Sequence, residues 1–311
     1  MGRNERVPAQ EGEYQGRHIV SAVISVAFQA FQMFGIFLIV SLGLSIIYGV
    51  LGVMNLAHGE LMAIGAYIVA MTVDAGLPLV MGIVLATVLV ALLGLVLDRA
   101  IMRRMYRRPT DAIVVTFGVS LVVTQAMLLI FGSAESSRIS IPGGEISVAG
   151  ASIPTYRLLV TLVGILAAYG LYALFQRTRL GTNIRAVSSD EDTAGCFGVD
   201  TRATYTVAFV LGAGLAGLAG ALVAPTVSLV PTLGQGFVVY AFVIVVVAGE
   251  RVFQGTILAS AVYAVLNAVI SYQFGSFYGL LALLGVTLML IRFLPGGFSS
   301  LLRRPRLAAA I

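Results

Sequence analysis

The sequence predicts an all-α fold, a polytopic transmembrane helical bundle of about 8–10 spans. Of the 311 residues, 59% are hydrophobic and only 11% are charged, and the mean hydropathy is +1.00. A soluble domain carries about 25% charged and about 45–50% apolar residues, so a water-soluble particle of this size cannot bury the surplus. In addition, several stretches without any charged residue reach the roughly 20 residues that one membrane-spanning helix needs.

Seven stretches without Asp, Glu, Lys, Arg or His define the predicted spans. In chain order they are Ile19–Ala57, Leu61–Val73, Ala75–Leu97, Ala112–Ala134, Leu158–Gln176, Ala203–Gly249 and Val252–Ile291. The last two have 47 and 40 residues, so each holds two spans. The first holds one long span or two short ones, and the second, with 13 residues, is long enough only for a half-helix. We expect ten crossings and a cytoplasmic N-terminus.

The arginines orient the predicted bundle, because the cytoplasmic loops of membrane proteins collect basic residues. All 19 basic residues are arginine, and 13 of them lie in three groups, at 99–108, 177–202 and 292–306. We expect all three groups on the cytoplasmic side. The predicted organisation is a polar tail (1–18), one transmembrane domain (19–300) with an external loop (135–157) and a cytoplasmic loop (177–202), and a cytoplasmic C-terminal tail (301–311).

Two interrupted segments, Gly52–Glu60 and Pro231–Gly236, place glycines and polar side chains within apolar sequence, one in each half of the chain. Paired broken helices mark the substrate path in transporters, and irregular backbone at membrane depth has to be buried or line a watery cavity. An inverted repeat is therefore one expectation for the fold. The alternative is a structural hinge whose polar residues only cap the next helix. The candidate path residues are Asn55, His58, Glu60, Thr232 and Gln235.

The loop at 177–202 has the pattern of a short helix outside the membrane. Ser188 and Ser189 each precede an acidic residue by three positions, as in a capping box, and the acidic residues favour a helix N-terminus. Gly198 is a suitable C-terminal stop. We predict a two-turn helix that docks into a partner's groove, with a solvated connector as the alternative. Its candidate residues are Arg185, Ser189, Asp190, Glu191, Asp192, Ala194 and Gly198.

The composition excludes several kinds of chemistry. The chain has no lysine, which excludes a P-loop and Schiff-base catalysis. Two histidines and one cysteine leave almost no candidates for a catalytic triad or a zinc site. We therefore predict no catalytic residue, no metal site and no cofactor in this chain. ATP, if it drives the protein, has to be hydrolysed by partner subunits.

At these segments the chain resembles the permease subunits of branched-chain amino-acid ABC importers. The motifs that carry the resemblance are Gly43–Glu60, Met62–Tyr67, Arg177–Gly181, Ile184–Val187, Asp190–Ala194, Gly198-Val199, Ala216–Leu222 and Arg292–Gly297. The resemblance covers about residues 20–300. It implies a half-transporter in the bacterial inner membrane, with a second homologous permease subunit, two cytoplasmic ATPase subunits and an extracytoplasmic solute-binding protein. It also implies that the predicted helix at 189–198 is the coupling helix.

The resemblance leaves two classes of solute open. Asp190–Ala194 is closer to the amino-acid type, whereas Ile153–Leu158 and Pro231–Gln235 are similar to the urea and short-chain amide branch. The family usually has a Gly-Gly pair where this chain has Gly249-Glu250. We expect branched-chain amino acids, with urea or short-chain amides as the alternative. A self-contained secondary transporter or channel is the more distant alternative.

Overall fold

The computed structural model describes residues 8–106, 108–133, 139, 143–148, 151–249, 252–294 and 296–302. Within these ranges the protein is a helical bundle with one short antiparallel hairpin. The helices are α1 Pro8–Leu51, α2 His58–Asp74, α3 Leu79–Ala100, α4 Pro109–Phe131, α5 Thr155–Arg177, α6 Arg179–Ser189, α7 Glu191–Cys196, α8 Thr201–Val223, α9 Leu233–Ala248, α10 Val252–Phe274 and α11 Ser276–Phe293. The hairpin strands are β1 Glu145–Val148 and β2 Ala151–Pro154, and Ile146 pairs with Ile153.

Seven of these helices are long and apolar enough to cross a membrane, namely α1, α3, α4, α5, α8, α10 and α11. The shorter α2 and α9 bring the described helices at membrane depth to nine, so the expected count of ten is wrong. The reason lies in the first uncharged stretch, which holds one span and not two, because its residues up to Leu51 all belong to the single helix α1. The protein is a multi-pass membrane protein with an all-α bundle, and the predicted inverted repeat stays a prediction.

The bundle has two distinct ends, which we call the hairpin end and the basic end. The hairpin end holds β1 and β2, and the basic end holds residues 99–106 together with α6 and α7. Midway along α1, the carbonyl of Phe31 accepts a hydrogen bond from Thr161 in the first two turns of α5, just after the hairpin (3.2 Å). Near the end of α1, Ser45 is hydrogen-bonded to Thr256 in the first turn of α10. Therefore α1 runs from the hairpin end to the basic end, and the expectation that the N-terminal segment shares a side with the arginine groups is wrong.

Helix α8 is the centre of the core, and its small residues let α2 and α3 approach closely. A Cβ built on Gly217 would lie 2.7 Å from the side chain of Val90, and a Cβ built on Gly220 would lie 1.8 Å from the Met62 carbonyl oxygen. Small residues have this use in membrane helices, where packing rather than hydrophobic burial drives association. The glycine-rich run at 212–220 is thus a packing surface between helices.

A buried carboxylate joins α3 to α8 at the basic end. Asp98 is fully buried, accepts a hydrogen bond from Thr206 at 2.7 Å and from the Tyr106 hydroxyl, and pairs with Arg103 at 3.4 Å. Burial and the neighbouring carboxylate raise the pKa of Tyr106, which keeps its hydroxyl a donor. This network fixes residues 98–106 against the first turns of α8, the helix that follows α7 directly.

Candidate functional site

The N-termini of α2 and α9 meet inside the bundle. A Cβ built on Gly234 would lie 1.9 Å from the carbonyl oxygen of Gly59, so the two backbones touch where neither residue has a side chain. The meeting point is level with the middle of α8, because the His58 ring and the Gly212 carbonyl both lie against Gly43 of α1. From here α2 continues toward the hairpin end and α9 toward the basic end. Two partly positive helix ends therefore face one region at membrane depth.

Glu60 lies at this meeting point, in the first turn of α2. Its side chain is 2% exposed. One carboxylate oxygen, Oε1, accepts a hydrogen bond from Thr124 of α4 at 3.2 Å, and Nε2 of Gln235 lies 3.5 Å from the same threonine hydroxyl. The other oxygen, Oε2, is buried without a hydrogen-bond partner among the described residues. The two interrupted segments of the sequence are thus brought together through a residue of a third helix.

That third helix, α4, presents a stripe of hydroxyl groups to α2 and α9 that sequence reasoning missed. Thr116, Ser120 and Thr124 recur every four residues and are all buried, whereas the rest of α4 is largely apolar and exposed. Thr116 accepts a hydrogen bond from the backbone N–H of Leu56 at 3.2 Å. The four-residue spacing was the signal available in the sequence. We call this line the polar seam; it consists of Asn55, Glu60, Thr116, Ser120, Thr124 and Gln235.

The predicted path residues divide between the seam and other places. Asn55 forms a local turn just before α2, in which its Oδ1 accepts from the Ala57 N–H at 3.0 Å, and together with Thr116 it lines a cavity of about 10 Å³. A cavity of that size is close to the space one water molecule needs. His58 points away from the seam and bonds through Nε2 to the Val40 carbonyl of α1 at 3.2 Å. Thr232 is exposed and precedes the first turn of α9.

Toward the hairpin end, an aromatic pair continues the line of the seam. Tyr67 lies two helical turns beyond Glu60 on α2, and its ring centre is 4.3 Å from that of Phe131 at the end of α4. Tyr67 is buried and its hydroxyl has no hydrogen-bond partner among the described residues. Phe131 is partly exposed. The seam thus ends in two aromatic rings, one facing inward and one reaching the surface.

At the basic end, the predicted partner helix is present but arranged differently. The structure places an 11-residue helix, α6, before it, and Ser189 is the last residue of α6 and not a cap. Asp190 caps α7 instead, accepting from the Thr193 N–H at 3.0 Å and its hydroxyl at 2.8 Å. These bonds hold the pKa of Asp190 below its ordinary value. Gly198 ends the segment at φ +83°, the left-handed conformation of a helix stop.

The remaining residues of this segment do not present one common face. Ala194 is buried against the bundle, and Arg185 lies over a cavity of about 400 Å³ between α1, α5 and α10. Glu191 and Asp192 form the first turn of α7. Phe197, which the sequence analysis passed over, is 84% exposed directly after α7.

Several predicted features lie outside the described residues, or partly so. Glu250, with Arg251, is outside them, and so are residues 1–7 and 303–311 of the predicted tails. Of the predicted external loop, 135–157, the described parts are residue 139, residues 143–148 and residues 151–157, which include the hairpin.

Comparison with known proteins agrees with this architecture. Residues 26–293 match the family described as branched-chain amino acid transport system / permease component. The chain is 27% identical over 275 residues to the high-affinity branched-chain amino acid transport system permease protein BraD of Pseudomonas aeruginosa, covering 83% of this chain and 90% of BraD. It is 25% identical over 275 residues to the corresponding permease protein LivH of Escherichia coli, covering 83% of this chain and 89% of LivH. The chain therefore belongs to the permease component family of the branched-chain amino acid transport systems.

Proposed function

We propose that this chain is the membrane-spanning subunit of an ABC importer and that it carries a branched-chain amino acid across the inner membrane along the polar seam. The observation that carries the proposal is the meeting of two broken helices at Glu60, beside the hydroxyl stripe of α4. Irregular backbone and an ionisable residue at membrane depth are expected where a solute passes. The names of the relatives BraD and LivH support the choice of solute.

The solute is tested by uptake of labelled leucine and labelled urea, side by side, in cells with and without the gene. The proposal expects loss of leucine uptake with urea uptake unchanged. Loss of urea uptake alone would assign the chain to the amide branch and refute the amino-acid proposal.

The path itself is tested by a matched pair of substitutions on α4. Ser120→Phe places a large ring in the seam, whereas Val122→Phe places it on the exposed face of the same helix, where Val122 is 70% exposed. With equal amounts of protein in the membrane, we expect uptake to fall at least about tenfold in the first variant only. Equal uptake by the two variants would remove the seam from the proposed path.

The basic end faces the cytoplasm in this proposal, because arginine-rich loops stay on that side. The C-terminus is then cytoplasmic, and the start of α1 is extracytoplasmic. The only cysteine in the sequence, Cys196, is exposed at the end of α7 and provides the test. In cells that make the permease without the ATPase subunits, which would cover α7, a membrane-impermeant maleimide should label Cys196 in inverted vesicles and not in intact cells. Ser133→Cys in a Cys196→Ser background should show the opposite pattern, since Ser133 is exposed just after α4, at the hairpin end of the bundle.

The partners follow from the same arrangement. ATP is hydrolysed by two separate cytoplasmic subunits, for which α7 and the exposed Phe197 form the docking element. A solute-binding protein delivers the solute to the hairpin end. A second homologous permease subunit completes the transporter.

A further inference from the structure

We propose that the free oxygen of Glu60, Oε2, is the binding group for the ammonium of the transported solute. This inference rests on the proposed function and adds the chemical group that the path recognises. The starting observation is a buried carboxylate with one oxygen satisfied by Thr124 and the other without a partner. Polar atoms at membrane depth nearly always have partners, so an unpaired carboxylate oxygen there indicates a ligand.

Two helix N-termini lie beside Glu60. It lies in the first turn of α2 and beside the first turn of α9, so the partial positive charge of two helix N-termini stabilises the carboxylate. Among the described residues it forms no ion pair. This is unlike Asp98, the other fully buried acid, whose two oxygens contact Thr206, Tyr106 and Arg103. No cationic side chain among the described residues therefore pairs with Glu60.

The charge of the site selects one end of a zwitterionic amino acid. An open pair of helix N-termini would attract the carboxylate of the solute, but here the protein's own carboxylate occupies that position. The remaining lone pairs of Oε2 suit an N–H donor, and an ammonium forms the strong, charge-assisted kind of hydrogen bond with it.

The aromatic pair supports the same choice on independent grounds. Tyr67 and Phe131 lie between Glu60 and the hairpin end, with ring centres 4.3 Å apart. Faces of aromatic rings attract cations and do not attract carboxylates. On this line the partly exposed Phe131 ring lies nearest the hairpin end, followed by the buried Tyr67 ring and then the Glu60 carboxylate.

The test measures the melting temperature of the purified importer with two analogues of leucine, each of which lacks one of the two charged groups. Leucinol keeps the ammonium and the side chain but lacks the carboxylate, and isocaproate keeps the carboxylate and lacks the ammonium. We expect leucinol to raise the melting temperature by about 2 °C or more at saturating concentration, because it binds the folded state. Isocaproate should give no shift. Glu60→Gln, which has nearly the same shape, should lose the leucinol shift.

Asp98→Asn is the matched control, since it neutralises a buried acid outside the seam. Its leucinol shift should equal that of the wild type even if its melting temperature is lower. A leucinol shift that persists in Glu60→Gln, or an isocaproate shift in the wild type, would overturn the proposal. So would an equal, Glu60-dependent shift with sodium chloride, which would identify an inorganic cation site.

The binding test needs neither transport nor ATP hydrolysis, so its failure is distinguishable from failure of the proposed function. Normal leucine uptake without a leucinol shift refutes the role of Glu60 alone. Loss of leucine uptake to below about one tenth in Glu60→Gln, with urea uptake unaffected, agrees with the proposal.

Discussion

The contact between Gly59 and Gly234 makes a sharp prediction, because the atoms that touch belong to the backbone. In Gly234→Ala, the new Cβ would lie 1.9 Å from the Gly59 carbonyl oxygen, and contacts under 3.0 Å essentially never occur for a real Cβ. No side-chain rotation relieves a clash with a carbonyl, so α2 and α9 have to move apart by about 1 Å or more. We expect a loss of about 3 kcal/mol or more in the free energy of unfolding, at the upper end for overpacking.

The control for this substitution lies two residues away on the same helix. A Cβ built on Gly236 meets nothing within 4 Å, and alanine favours a helix over glycine by about 1 kcal/mol. Gly236→Ala should therefore keep or raise the melting temperature, while Gly234→Ala lowers it by roughly 6 °C or more. Size-exclusion chromatography of the heated, solubilised protein measures both, and leucine uptake by the same cells reports the path. Equal melting temperatures and equal uptake in the two variants would refute the backbone contact.

Three further predictions concern the basic end. Asp98→Asn should lower the free energy of unfolding by about 1–3 kcal/mol, measured by thermal melting, because Tyr106 and Arg103 lose a charged partner. Phe197→Ser should abolish co-purification of the ATPase subunits and leave the melting temperature of the permease unchanged, because this ring is 84% exposed. Hydrogen bonds lower the pKa of Asp190 below its ordinary value of 3.8. The stabilisation of α7 by Asp190 is therefore complete at pH values well above 3.8 and is lost as the pH falls through the lowered pKa. Hydrogen exchange of the Thr193 amide should report this loss.

Each of these predictions has a defined contrary result. Asp190→Asn keeps a capping side chain and Asp190→Ala removes it, so only the alanine variant should exchange the Thr193 amide faster at neutral pH. Equal exchange in the two variants would contradict the cap. Undiminished ATPase co-purification with Phe197→Ser would contradict the docking element. A melting temperature unchanged in Asp98→Asn would show that the network contributes no net stability.

The sequence carried the class of fold and the broken segments, but not the direction in which their side chains point. His58 and Glu60 are two residues apart on α2, and at about 100° per residue they project to nearly opposite sides of the helix. Which of them meets the seam depends on where α1 and α4 pack. The sequence could place both at membrane depth and could not separate them.

The hydroxyl stripe of α4 was missed for a related reason. Thr116, Ser120 and Thr124 stand within apolar sequence, where such side chains commonly bond to carbonyls of their own helix. Thr116 does bond in this way to Ile113 at 3.1 Å, and it also accepts from Leu56 across the seam. The second partner comes from a segment 60 positions away, which no local pattern reports.

The segment at 189–198 contains one correct local prediction and one wrong one. Gly198 was correctly predicted as a stop because only its own backbone conformation matters. Ser189 was wrongly predicted as a cap. Asp190 has that role instead, because its carboxylate accepts hydrogen bonds from both the backbone N–H and the hydroxyl of Thr193. The burial of Ala194 and the exposure of Phe197 depend on how α6 and α7 lie on the bundle.

The positions of the seam residues along the chain also determine when the seam can form during synthesis. Glu60 and Thr124 lie in the first half of the chain, whereas Gln235 and the first turn of α9 follow more than a hundred residues later. At about 5–20 residues per second, roughly 10–30 s pass between synthesis of Glu60 and synthesis of Gln235. Throughout that interval α2 carries its acidic residue without α9 beside it. The meeting point of α2 and α9 is thus completed late in synthesis, and a chain truncated before α9 lacks the helix that lies beside Glu60.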